Sequence, residues 1–167
     1  MGRLGYVTGA LVAVVLAMSS PALAQTYQDP AQQWDWSMGQ GISQGAVGNG
    51  TGGWFAITCA SGTDNPVAGM MLTIDAGGPV AAEAVDAVIE IDGEETWWTI
   101  RSMASRTKDV TYSEDIGSAA FADFARMVDH LKRGRSLVVS IPAHSVRQEF
   151  TLRGSAAALS DILEGCK

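Results

Sequence analysis

The residues from 84 to 103, AVDAVIEIDGEETWWTIRSM, constrain the fold more than any other segment. Val85, Ala87, Ile89 and Ile91 recur at every second position, the period of a strand with one face buried. Asp92-Gly93 then interrupts the pattern with the residue pair that two-residue hairpin turns favour. The chain returns through Thr96, Trp98 and Ile100. Trp97 and Trp98 are adjacent on this returning strand, so their side chains must leave opposite faces. An antiparallel hairpin therefore stands at the centre of the fold.

Other segments repeat the theme. In WFAITC (54–59), Phe55, Ile57 and Cys59 share one face. The turn chemistry of GTDNP (62–66) follows, and MMLTID (70–75) supplies a returning strand. Later, LVVSIP (137–142) and VRQEFTLR (146–153) form two strands around a turn at Ala143-His144-Ser145. Val110 to Tyr112 is expected as one more short strand. Helical spacing is clear in SAAFADFARMVDHLKRG (118–134), where Phe121, Phe124, Met127 or Val128, and Leu131 recur on one side. Ser118 is its expected cap, Lys132 and Arg133 complement the dipole in its last turn, and Gly134 ends it. A final helix is expected from Ser155, as cap, to Glu164. The expected fold is mainly β with two late helices: an antiparallel β-sandwich or open barrel covered by helices, holding one disulfide.

Residues 1–24 have the order of a signal peptide: Arg3, the apolar run 11–18, then Ala22-Leu23-Ala24 as an A-x-A site. The expected division is a signal segment (1–24), a Gly/Gln-rich arm (25–53) and one β-rich domain (54–167). Within the arm, 25–33 reads as loose, 34–38 as an edge strand and 48–53 as a hairpin turn. The expected destination is the periplasm, with secretion as the alternative. Arg3 is the only charged residue of the signal segment, so its loss takes the formal charge from −7 to −8. Such a chain is a poor nucleic-acid binder, because phosphate contacts need clustered Lys and Arg. No stable membrane insertion is expected of the mature chain.

Cys59 and Cys166 are the only cysteines. In an oxidising compartment they have one possible pairing. The long loop so closed is worth roughly 4–5 kcal/mol in the chain-entropy account.

Catalytic signals are sparse. Gly41-Ile42-Ser43-Gln44-Gly45 fits G-x-S-x-G, but a nucleophile elbow needs a strand before the serine and a helix after it. The glycines that follow do not start a helix. His130 and His144 each lack a second His at ligand spacing. Glu90, Asp92, Glu94 and Glu95 lack the EF-hand spacing and read as a solvated hairpin tip. No catalytic residue, metal ligand or cofactor is expected. The tryptophans are the better binding candidates: Trp34 and Trp36 on one face of the arm, Trp97 and Trp98 on the hairpin. An exposed indole anchors a partner surface efficiently.

The segment LKRGRSLVVSIP…VRQEFTLRGSAAALSDIL resembles the C-terminal part of the invasion-associated locus B family of small alphaproteobacterial periplasmic proteins. Gly134, Leu137, Val139, Phe150, Leu152, Gly154, Ala158 and Leu159 carry the resemblance, and GWFAITC (53–59) is similar to that family's early strand. The further cysteines of that family are absent here. The resemblance implies a periplasmic, non-enzymatic protein with envelope or host contacts, and brings no catalytic residues. The expected function is thus an exported binding or accessory protein acting on an unknown envelope or secreted protein. The alternatives are an inhibitor of an envelope hydrolase such as lysozyme, and a small serine hydrolase.

Overall fold

The computed structural model describes residues 32–60, 67–75, 81–103 and 109–166. The expected signal segment (1–24), residues 25–31 of the expected arm and the 62–66 turn lie outside the described residues. Nine strands form one antiparallel sheet: β1 (Asp35–Gly39), β2 (Ile42–Gly48), β3 (Trp54–Ala60), β4 (Val67–Asp75), β5 (Ala84–Ile91), β6 (Glu94–Ser102), β7 (Asp109–Ile116), β8 (Ser136–Ile141) and β9 (Val146–Thr151). Their spatial order is β1-β2-β3-β4-β7-β6-β5-β8-β9. Helix α1 (Phe121–Arg133) joins β7 to β8, and α2 (Ser155–Ala158) follows β9. A 3₁₀ turn, Pro142–His144, links β8 to β9, and a second, Glu164–Cys166, ends the described chain.

The alternating segments become strands because every second side chain can be buried. Phe55, Leu72 and Tyr112 are neighbours across β3, β4 and β7, and all are buried. On the other half of the sheet, Ala87 and Ile89 of β5 and Leu137, Val139 and Ile141 of β8 continue the same inner face. The sheet curls until its distant parts meet. The rings of Phe55 (β3) and Phe150 (β9) lie 6.0 Å apart, and Trp34 packs edge-on to Phe55 at 6.1 Å. The backbone N–H of Trp34 donates to Arg153 O at 3.0 Å, and its indole N–H to Thr151 O at 2.9 Å. The result is an open barrel, one of the two expected arrangements. Phe124, Met127, Val128 and Leu131 of α1 are buried in its core.

Several local expectations are corrected. Residues 35–48 are strands of the main sheet, so the expected boundary at residue 53 divides nothing. β2 was hidden by its glycines, yet Gly45 is tightly packed there: a Cβ would lie 2.5 Å from Leu159 Cδ2 and 3.0 Å from Ala158 O. The short strand expected at 110–112 is eight residues long and sits between β4 and β6, joining the two hairpins. Ser118 does not cap α1, whose N-cap is Ala120 without a side-chain bond. Ser155 does not cap α2 either; Gly154 does, in the left-handed region at φ 86°. The Ser155 hydroxyl instead donates to Leu131 O at 2.7 Å, satisfying a carbonyl in the last turn of α1. α2 stops at Ala158, and the next residues are turns in which Ser160 hydrogen-bonds the Asp161 carboxylate.

Cys59 and Cys166 are bonded as expected, with Cα atoms 5.9 Å apart. The bond fastens the end of the chain to β3, beside the strand that Leu159 covers.

Candidate functional site

The four candidate tryptophans divide into two buried or half-buried (Trp34, Trp98) and two exposed (Trp36, Trp97). Trp34 retains 3% of its accessible surface, with its ring on Phe55 and its N–H on Thr151. It is part of the barrel seam and offers no surface to a partner, contrary to expectation. Trp98 points inward and meets Phe124 of α1 edge-on at 5.9 Å. Its indole N–H is buried without a hydrogen-bond partner among the described residues. Trp97, as the alternation requires, leaves the opposite face and is 61% exposed. It stands opposite Val88 on the outer side of the sheet.

Trp36 is 51% and Met38 63% exposed, both on the edge strand β1. Register explains why this is unusual. Trp36 pairs with Gly45 and Gly45 with Ile57; Met38 pairs with Ser43 and Ser43 with Cys59. Ile57 and Cys59 are core residues. Trp36 and Met38 therefore extend the inner, apolar face of the barrel and stay exposed, although α2 packs close to β1 and Leu159 covers Gly45. Ile42, at the start of β2, adds a further exposed apolar side chain on the other face. Edge strands are normally blunted by charge, Pro or a bulge, because their unpaired backbone invites another chain. β1 carries Asp35 but otherwise large apolar and small residues, and no described strand pairs with its outer edge.

A second constellation is invisible in the sequence. Tyr112 Oη lies 2.6 Å from His144 Nδ1, and His144 Nε2 lies 2.8 Å from Glu83 Oε1. A carboxylate accepts, so Nε2–H donates to Glu83, and Nδ1 and the Tyr112 hydroxyl share the second hydrogen bond. Burial, and secondarily the Glu83 charge, push the Tyr112 phenol above its ordinary range. Tyr112 is 1% exposed, so the chain of bonds runs from the core to the rim through the Pro142–His144 turn. The phenol is closed to any substrate, and the arrangement pins that turn over the barrel end. The partners come from residues 83, 112 and 144, and no local spacing could have announced them.

Gly41 to Gly45 crosses the β1–β2 hairpin, and Ser43 stands in a strand with strands on both sides. The strand–turn–helix of a nucleophile elbow is not formed there. His130 lies near Glu94 at 3.7 Å, in the last turn of α1. The acidic hairpin tip is more than solvated. Asp92 accepts hydrogen bonds from the backbone N–H groups of Ser136, at 2.9 Å, and Arg135, at 3.1 Å. These bonds, that to Ser136 foremost, hold its carboxyl below the usual range. No group of three or more His, Cys, Asp or Glu that could hold a metal occurs among the described residues.

Finally, a crevice of about 590 Å³ opens between the β2–β3 turn and β9, lined by Asn49 and Thr51 on one side and by Arg147 to Thr151 on the other. Asn49 spans it, its Nδ2 donating to Gln148 Oε1 at 2.6 Å.

The YfjT family profile matches residues 32–159, from the approach to β1 through the end of α2. The chain belongs to the YfjT family. The match takes in both the Trp36 strand and the Tyr112–His144 pair, while Cys166 lies beyond it. Neither curated proteins nor solved structures offer a significant match to the chain. Among the described residues no helix is long and apolar enough to cross a membrane.

Proposed function

We propose that this YfjT-family chain is an exported, non-enzymatic binding protein that seats an apolar segment of an envelope or secreted protein on β1. The observation that carries this reading is the pair Trp36 and Met38, which prolong the core face of the barrel into solvent on a strand whose outer edge no described strand pairs. A large exposed indole on a rigid strand loses little conformational freedom on binding, and an edge strand's outward backbone groups supply hydrogen bonds. The signal-like segment 1–24 and the single disulfide support export to an oxidising compartment. The resemblance to the invasion-associated locus B family points the same way.

Co-purification from a periplasmic extract tests the reading. The wild-type protein and a Trp36→Ser/Met38→Ser variant are compared, both with the disulfide intact. A discrete envelope protein held by the wild type and lost from the variant is expected. Identical recoveries from both proteins would refute it, and recovery of lysozyme-like enzymes alone would favour an inhibitor.

A further inference from the structure

The free edge of β9 is divided in use. Leu152 N–H bonds to Arg135 O, which makes Thr151 and Ser136 a non-hydrogen-bonded pair in the β8–β9 ladder. Alternation then directs the backbone groups of Val146, Gln148 and Phe150 to β8, and those of Arg147, Glu149 and Thr151 away from it. Thr151 O is taken by the Trp34 indole, and the next outward carbonyl, Arg153 O, by the Trp34 backbone N–H. The chain itself thus occupies the lower part of this edge as an added strand would. Arg147 and Glu149 have no such neighbour among the described residues. Their stretch of edge opens on the crevice of about 590 Å³, a volume in the range of peptide and small-molecule sites.

The opposite wall is polar. Asn49 is anchored by accepting from the N–H groups of Thr51, at 3.0 Å, and Gly53, at 2.9 Å. It holds Gln148 in turn, and Gln32 and Thr51 complete that side. Arg147 and Glu149 pair with each other at 3.0 Å on the outer face, flanking the edge without covering it.

We infer that this crevice is a strand-accepting groove: an extended, polar peptide segment of another protein pairs with the outward backbone groups of Arg147 and Glu149. Its side chains meet the amides and hydroxyls of Gln32, Asn49, Thr51 and Gln148. The site is separate from the Trp36 face and takes the opposite chemistry, polar where β1 is apolar.

The test uses a displayed library of random peptides of roughly ten residues, a length typical of strand-adding ligands, selected on the oxidised protein. Affinities of the recovered peptides are then measured by fluorescence polarisation. Two variants separate backbone pairing from mere proximity. Glu149→Pro removes an outward N–H while keeping every bond to β8, a place where an edge strand tolerates proline. Thr51→Trp fills the crevice and leaves β9 untouched. Both are expected to weaken binding at least tenfold, and Trp36→Ser to leave it within twofold. Amide shifts on binding should fall on residues 146–151 and on the side-chain amides of Asn49 and Gln32. Recovery of no peptide overturns the inference, as does unchanged binding by both variants or cross-linking of residues 25–31 into the crevice. Peptide binding lost only with Trp36→Ser would overturn it too, while leaving the proposed function standing.

Discussion

The indole N–H of Trp34 donates to the carbonyl of Thr151, a residue 117 positions away in sequence. This bond, with the Trp34 backbone bond to Arg153, ties the beginning of the sheet to its end and makes an open barrel of a long curled sheet. Replacing Trp34 by Phe keeps a ring against Phe55 but deletes the donor. A loss of about 1–2 kcal/mol is expected, the cost of one bond with its acceptor left behind. Urea unfolding reads this as a lower midpoint at unchanged slope. An unchanged midpoint would show that the seam contributes nothing.

The Cys59–Cys166 bond is expected to contribute about 2–4 kcal/mol, chiefly by restricting the unfolded chain. Double replacement by serine should lower the thermal midpoint accordingly. The oxidised protein, denatured without reductant, should show no titratable thiol; two thiols would contradict the bond.

Tyr112 links stability to alkaline pH. Its folded pKa is raised, so the fold favours the neutral phenol. That contribution is complete below the ordinary tyrosine value of about 10 and is lost as pH rises through the raised one. Tyr112→Phe should therefore be less stable than wild type at about pH 8, and the gap should shrink at about pH 11. At the lower pH the variant lacks the hydrogen bond to His144 Nδ1. Parallel curves for the two proteins would rule out the coupling.

Asp92 acts at the other end of the pH range. Its folded pKa is lowered by the Ser136 and Arg135 backbone donors. Its contribution is present above the unfolded value, about 3.9, and is lost as pH falls through the lower folded one. Asp92 has φ 49°, a conformation that Asn also tolerates, so Asp92→Asn changes charge with little backbone strain. The variant is expected to be less stable near neutrality and to approach wild type on acidification. A constant difference across the acid range would exclude this role.

What the sequence disclosed depended on range. The β5–β6 hairpin was legible because its alternation and its Asp92-Gly93 turn are local, and the α1 face because Phe124, Val128 and Leu131 recur within one helix. The disulfide was legible because two cysteines allow one pairing. β2 was not, since its glycines argue against structure until Leu159 is seen pressing on Gly45. β7 was underestimated because its strand character depends on pairing with β4, not on its own apolar content. Trp34 and Trp36 were expected together on one face, and they are. Their opposite burial arises from the seam, where Trp34 meets Phe55 and Thr151 while Trp36 stays exposed. Glu83, Tyr112 and His144 meet only in the folded barrel.

Site-specific photo-cross-linking gives the most direct test of the central claim, that Trp36 marks the working face. A photoreactive phenylalanine analogue is placed at position 36, or at position 97 as a control that is more exposed still, and irradiated in a periplasmic extract. One dominant adduct from position 36 is expected, abolished by Met38→Ser and absent from position 97. The same adducts from both positions, or none from position 36, would contradict it.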